Sequence, residues 1–368
     1  MPAGFRQSGN WAAVAGLLLA LTAPRLAAQI TINPENRVTL NFSGFVQARY
    51  TLTNPVGMAS AQTFDVALAR MAFHGSALDP KVKYFFQVEA STLGNSNRIS
   101  MLDAWLRYDL SGYLGVQAGR MLLPYSRQFY THPGNLLFAD LSLADYAFNL
   151  PRAIGAGASG KMGRISYYGA AMNSVRGLDA AGQQNVGKGV GAVGRAEYDI
   201  LAPYGYIESL PRGAPKAQWS IGVAAASNPV AESSRFQNTM AGDRTRNVTV
   251  DSGFRWKRTS LQAAGYFRNV RAAEMAASGH WDVGSYAQAG VYVWPRRLEL
   301  AGRYSRVDFG RRSAVFTGET YRETTVGANY YFIGHNLKLQ GDYIQTRASL
   351  AAGTSNDRRF MMQFQILY

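Results

Sequence analysis

The chain alternates. From Val38 to Thr53 the even positions Val38, Leu40, Phe42, Val46, Ala48, Tyr50 and Leu52 are apolar, and Thr39, Asn41, Ser43, Gln47, Arg49 and Thr51 between them are polar. A period of two means a strand with one oily and one wet face, because successive side chains leave a pleated backbone on opposite sides. The same split sets Tyr84, Phe86, Val88 and Ala90 against Lys83, Gln87 and Glu89, and Leu102, Ala104, Leu106 and Tyr108 against Asp103, Arg107 and Asp109. Further on, Leu298, Leu300 and Tyr304 oppose Arg297, Glu299 and Arg303, and Leu337, Leu339 and Tyr343 oppose Lys338, Gln340 and Asp342. The final stretch is the cleanest, with Phe360, Met362, Phe364, Ile366 and Tyr368 on one face and Arg359, Gln363 and Gln365 on the other. Segments of this kind begin near Val38, Phe64, Val82, Met101, Tyr113, Ile154, Ile165, Val190, Trp219, Val248, Ser260, Gly284, Leu298, Arg322, Leu337 and Arg359, about sixteen in all, separated by Gly, Asn, Asp, Pro and Ser.

Alternation also fits a soluble sandwich, whose oily faces meet each other. Aromatic residues near the strand ends on the apolar side, such as Tyr50, Tyr108, Trp256 and Tyr330, favour a membrane instead, because girdles of Tyr and Trp sit at its two interfaces. In hydrocarbon every backbone polar group needs a partner, and a closed barrel is the sheet that supplies one. The expected fold is therefore an all-β transmembrane antiparallel barrel of about sixteen strands, wide enough for an aqueous channel.

Composition agrees. Only 17% of residues are charged, Gly numbers 38 and Tyr 21, and Cys is absent, which removes disulfides, thiolate metal sites and thiol nucleophiles. Arg6, the apolar run Trp11 to Leu21 and the small residues Ala27 and Ala28 make residues 1–28 a signal peptide cut after Ala28, leaving 29–368 as the barrel domain. No later run is long and apolar enough for a transmembrane helix. The expected location is the bacterial outer membrane, in contact with its lipid. Losing Arg6 and Arg25 takes the formal charge from +15 to +13, a surplus that suits anionic partners. Export sets nucleic acid aside.

Local motifs narrow the class. Leu102-Asp103-Ala104-Trp105, Gly119-Arg120 running to Pro124-Tyr125, Pro151-Arg152-Ala153-Ile154-Gly155, the stretch Gly284 to Asp308, Val326 to Phe332 and Asn336 to Gln340 together resemble the phosphate-selective porins of the O and P type. The resemblance implies a trimeric sixteen-stranded barrel, an external loop folded into the lumen as a constriction, and Arg and Lys residues that favour phosphate, polyphosphate or other small anions. Here that loop would be Tyr125 to Leu150. The chain departs from the family where Ala153 replaces an acidic residue and where Gly and Glu are missing after Pro124.

Parity and charge together nominate Arg49, Arg70, Lys83, Arg107, Arg195, Arg255, Lys257, Arg303 and Lys338 for the lumen wall. Arg120, Arg127 and Arg152 flank the inserted loop and are the expected anion contacts at the constriction. The plainer role for any of these cations is pairing with a carboxylate on a neighbouring strand, and Glu89, Asp103, Glu197 and Asp251 are available. Asp140 and Asp145 could anchor the loop. The four His residues are widely separated without ligand spacing, and no Gly-x-Ser-x-Gly elbow occurs, so neither metal, cofactor nor catalytic site is expected. The glycines of Gly187 to Gly191 lack the strand-to-helix setting of a nucleotide loop. Two functions remain: a passive anion-preferring channel, or a non-conducting barrel with a structural or adhesive role.

Overall fold

The computed structural model describes Gln29 to Tyr368 apart from residues 34–37, 56, 58, 94–97, 174–188, 231–232, 235–236, 274–278, 312–317 and 351–352. The signal peptide 1–28 and its cut after Ala28 lie outside the described residues. The strands are β1 (Gln29–Asn33), β2 (Val38–Asn54), β3 (Ala61–Ala77), β4 (Asp79–Ser91), β5 (Arg98–Asp109), β6 (Gly115–Leu122), β7 (Arg152–Met162), β8 (Ile165–Met172) and β9 (Gly191–Asp199). The second half adds β10 (Ala214–Pro229), β11 (Arg244–Lys257), β12 (Thr259–Arg271), β13 (His280–Trp294), β14 (Leu298–Phe309), β15 (Glu319–Ile333), β16 (Leu337–Leu350) and β17 (Gly353–Leu367).

From β2 onward each strand pairs antiparallel with the next, and β17 returns to β2 with Leu367 opposite Phe45 and Arg358 opposite Asn54. The result is a closed ring of sixteen strands. The short β1 is an addition, pairing with the first residues of β2 (Gln29 opposite Asn41) beyond the point where β17 ends. Each of the sixteen expected segments corresponds to one strand of the ring, though several begin earlier than expected; the last starts at Gly353 rather than Arg359.

The alternation has become an inverted protein. On β17 the apolar side chains Phe360, Met362, Phe364 and Ile366 are about 40% exposed, whereas Gln363 and Gln365 are fully buried. On β13, Asp282, Tyr286 and Gln288 are buried and Trp281, Val283 and Val291 exposed. Such a surface would be costly in water, at roughly 25 cal/mol per Å² of apolar area, and is matched by lipid tails. At one end the hairpins are tight, as at 77–79, 162–165 and 257–259, which marks the periplasmic side. Exposed Tyr108, Trp219, Trp256, Trp294 and Phe332 cluster toward that end, and Phe64 and Trp281 toward the other.

Candidate functional site

The connection between β6 and β7, residues 123–151, is far more buried than an external loop in water. It holds two short helices, α1 (Arg127–Tyr130) and α2 (Leu143–Phe148). Ser126 caps α1 by accepting from Phe129 N, and Ser142 caps α2 by accepting from Asp145 N, each removing an orphan donor. Leu123, Tyr125, Ala144, Ala147 and Phe148 are almost fully buried, packed on inward side chains such as Tyr266, Tyr286, Val307 and Phe309, and Leu137 and Phe138 are equally buried. Phe148 stacks on Tyr266 with ring centroids 5.6 Å apart.

Inward glycines make room for this packing. A Cβ on Gly284 would stand 2.5 Å from the Phe148 ring, and one on Gly327 3.1 Å from Phe138. The main chain of the segment is also held. Lys338 Nζ donates to Leu136 O (2.9 Å), Asn329 Nδ2 to Leu137 O (2.8 Å), and Arg303 Nη1 and Nη2 to Asp140 O (2.9 Å) and Leu141 O (3.1 Å). Asp342 Oδ2 accepts from Ala139 N (2.7 Å). These strands provide main-chain partners that a buried coil cannot obtain from water.

A second inward segment was not anticipated. Residues 200–213 connect β9 to β10 at the end where the other hairpins are short, and Tyr204, Glu208 and Ser209 are buried. Glu208 Oε2 accepts from Leu137 N (2.7 Å) and Oε1 from Gln128 Nε2 (2.9 Å), so the two segments meet inside the ring. Arg255 donates to the carbonyls of Tyr204 and Ile207 and lies over the Tyr204 ring at 4.0 Å. A Cβ on Gly253 would strike that ring at 2.4 Å. The length of 200–213, with its Pro-Tyr-Gly-Tyr sequence, is the signal that could have exposed it.

The packing is lopsided, and space remains on the β2 to β7 side. A cavity of 850 Å³ near the outer end shares Arg49, Asp140 and Leu141 with a middle cavity of 390 Å³. That one shares Gln117 and Tyr130 with a third, of 480 Å³, near the periplasmic end. The three stand in a row along the wall.

The nominated cations divide into groups. Arg70 pairs through Nε with Glu89 (2.5 Å), and Arg152 grips both oxygens of Asp103 (3.0–3.2 Å), both along the middle cavity. Arg49 bridges Gln363, Asp140 and the Ala139 carbonyl at 2.8–3.1 Å. Lys83 and Arg107 share Asp109 (2.6 and 2.7 Å) at the periplasmic cavity. Arg127 and Arg195 enclose Asp251, each at 2.6 Å, with Glu197 beside them. Only 1% of Arg127 is exposed, so this guanidinium is walled off from a solute. The four carboxylates named from the sequence are thus all engaged.

Two cations lie elsewhere. Arg120 stands opposite Ala104 and Ile154 in the ladder and lines none of these three cavities; it is half-buried, and its Nε donates to Leu102 O (2.9 Å). Lys257 occupies the β11–β12 turn with φ of 52°, exposed, its Nζ 4.4 Å from the Trp256 ring centre. Sequence reasoning also passed over Phe85 and Trp105, which stack in parallel at 5.4 Å on the inner wall.

Titration within the connections follows from burial. Asp145 is pushed up to about 7 by burial, against hydrogen bonds from Ser126 and Tyr266. Burial also works to raise Asp140, but the Arg49 and Arg359 guanidiniums outweigh it and hold the carboxyl below its usual range. Burial lowers His132 to about 4, so the ring that caps the turn at Pro133–Asn135 is neutral at physiological pH.

Comparison with solved structures places the fold among outer-membrane channels. The anion-selective porin from Comamonas acidovorans is 12% identical, with a TM-score of 0.63 over 90% of this chain and 100% of that one. The outer membrane channel DcaP of Acinetobacter baumannii is also 12% identical, with a TM-score of 0.61 over 91% and 99%. OmpT of Vibrio cholerae in its trimer form is 9% identical, with a TM-score of 0.56 over 90% and 99%. None of the curated proteins matches the chain in sequence. The sequence profile of the phosphate-selective porin O and P family matches residues 37–368, so the chain belongs to that family and is a bacterial outer-membrane porin, a passive channel built on a closed sixteen-stranded barrel.

Proposed function

We propose that this porin prefers anions and that residues 123–151 set its narrowest point. The observation that carries this reading is the row of three cavities with shared lining residues along the barrel wall, the middle one lined by Arg49, Arg70 and Arg152 and by the segment itself. Guanidiniums at a constriction favour anions through their field, which a low-dielectric wall focuses. The Comamonas relative is described as anion-selective, which agrees. The channel acts as a homotrimer in contact with outer-membrane lipid, in line with the trimer form of the Vibrio relative, and residues 1–28 direct export and are removed. No catalytic step and no cofactor enter this reading.

Planar-bilayer recording tests it. The expected result is discrete conductance steps, with a reversal potential in a KCl gradient displaced toward the chloride equilibrium potential. Displacement toward potassium would refute the anion preference. The packed interior, in which Glu208 ties the two inward segments together, favours a second reading, a non-conducting structural barrel. Silence of correctly folded protein in the same bilayers would select it. Cross-linking in mild detergent tests the trimer, and N-terminal sequencing tests the cut after Ala28.

A further inference from the structure

The middle cavity is not furnished for phosphate alone. Its wall carries the parallel Phe85–Trp105 pair, two large aromatic side chains beside Leu68 and Met121, and Phe129 and Tyr130 of α1 line it from the segment side. An aromatic floor in a water-filled passage leaves apolar area to be covered by a solute. Beside it stand Arg70 and Arg152. Arg70 uses only Nε on Glu89, and Arg152 uses Nε and Nη2 on Asp103. Among the described residues, neither Nη of Arg70 nor Nη1 of Arg152 has a hydrogen-bond partner, and both side chains border the cavity. Free donors therefore flank a stacked aromatic surface.

The charge is nearly balanced. Arg49, Arg70 and Arg152 are set against Asp103 and Asp140, with Glu89 behind Arg70. A multiply charged phosphate gains little from such a site, whereas one negative charge on an apolar body matches it. Arg also presents a planar fork that suits a carboxylate.

We propose that this slot is a binding subsite for planar aromatic monocarboxylates, the ring lying along Phe85 and Trp105 and the carboxylate accepting from Arg70 and Arg152. The proposal rests on the channel reading and names the solute class of that same row of cavities. A volume of 390 Å³ accommodates a single substituted ring.

The test uses the full mature protein in planar bilayers, with benzoate, cyclohexanecarboxylate and inorganic phosphate added separately to a chloride current. Benzoate should reduce the current saturably and at lower concentration than either competitor. R70Q should weaken its block by about tenfold or more, the loss expected for a charge-assisted hydrogen bond. W105L should weaken it by about threefold to tenfold, as for a lost aromatic contact. Equal or stronger block by phosphate, equal block by cyclohexanecarboxylate, or benzoate block indifferent to both variants would overturn the proposal. If R70Q fails to insert, as judged by heat-modifiable gel mobility, F85L carries the test because it leaves every ion pair in place. If the protein inserts but conducts nothing, the channel reading fails on its own, and calorimetric titration of benzoate into the detergent-solubilised barrel decides the subsite: saturable binding weakened by F85L supports it, and no binding refutes it.

Discussion

Asp251 is the sharpest place to perturb the interior. Its carboxylate lies between Arg127 of the inward segment and Arg195 of β9, at 2.6 Å from each, and it is wholly buried. In D251A two guanidiniums, at most 3% exposed as side chains, keep Glu197 as their one nearby carboxylate. Removing one partner from a buried ion pair costs about 3–5 kcal/mol, because the remaining charge cannot reach water. The ring of strands does not depend on this carboxylate, and α2 keeps its own attachments: Ser305 Oγ accepts from Ala144 N, and Arg268 Nη1 donates to Ala147 O. The barrel should therefore insert while the start of the segment, around α1, comes loose. With an unfolding entropy of about 2.1 cal/mol/K per residue over about 330 residues, that cost lowers the melting midpoint by about 4–7 °C. Circular dichroism melts in detergent, with single-channel recording on the same preparation, measure both consequences: an earlier transition and a noisier open level. A variant with unchanged melting and unchanged current noise would refute the claim that this cluster anchors the segment.

Three further predictions follow from the geometry. Burial raises Asp145 to about 7 from an unfolded value near 3.8, so its stabilisation is complete below the lower value and is lost as pH rises through the upper one. The stability of wild type relative to D145N, compared by melts at pH 5 and pH 8, should fall by at most about 3 kcal/mol toward pH 8; a difference independent of pH counts against a buried proton there. R120A should leave the reversal potential unchanged, because that side chain lines none of the three cavities, whereas R152Q, which strips Asp103 of its partner, should move it toward potassium; the opposite ranking would mean that ions pass Arg120 rather than Arg152. G284V sets a side chain where Phe148 lies, so overpacking should cost about 1–3 kcal/mol and release α2, seen as altered conductance with the barrel still folded.

Much of the architecture could be read from the chain because a membrane barrel imposes its alternation on every strand. The positions on the polar face of β16, Lys338, Gln340 and Asp342, are the ones the structure buries inside, and Tyr343 faces outward. What escaped was whatever parity does not encode. Lys257 and Arg120 look like lumen cations by charge, yet one sits in a left-handed turn and the other lines none of the three cavities. The 200–213 segment carries no periodicity, so its inward course shows only as unusual length. Phe85 and Trp105 were legible in a different way, as apolar residues at positions where the pattern calls for polar ones.

The interior chemistry divides along the ring. Arg255, Arg303 and Lys338, on β11, β14 and β16, give donors to the main-chain carbonyls of the inward segments, so their charge goes into replacing water for buried peptide groups. On β3 and β7, Arg70 and Arg152 are paired with carboxylates, but among the described residues both Nη of Arg70 and Nη1 of Arg152 have no hydrogen-bond partner. A count of Arg and Lys around the lumen therefore overstates the field that a passing solute meets. On the proposed reading, selectivity rests on the few donors the inward segments have not already taken. Those lie beside an aromatic wall, where contact with a ring and capture of a single charge act on the same solute.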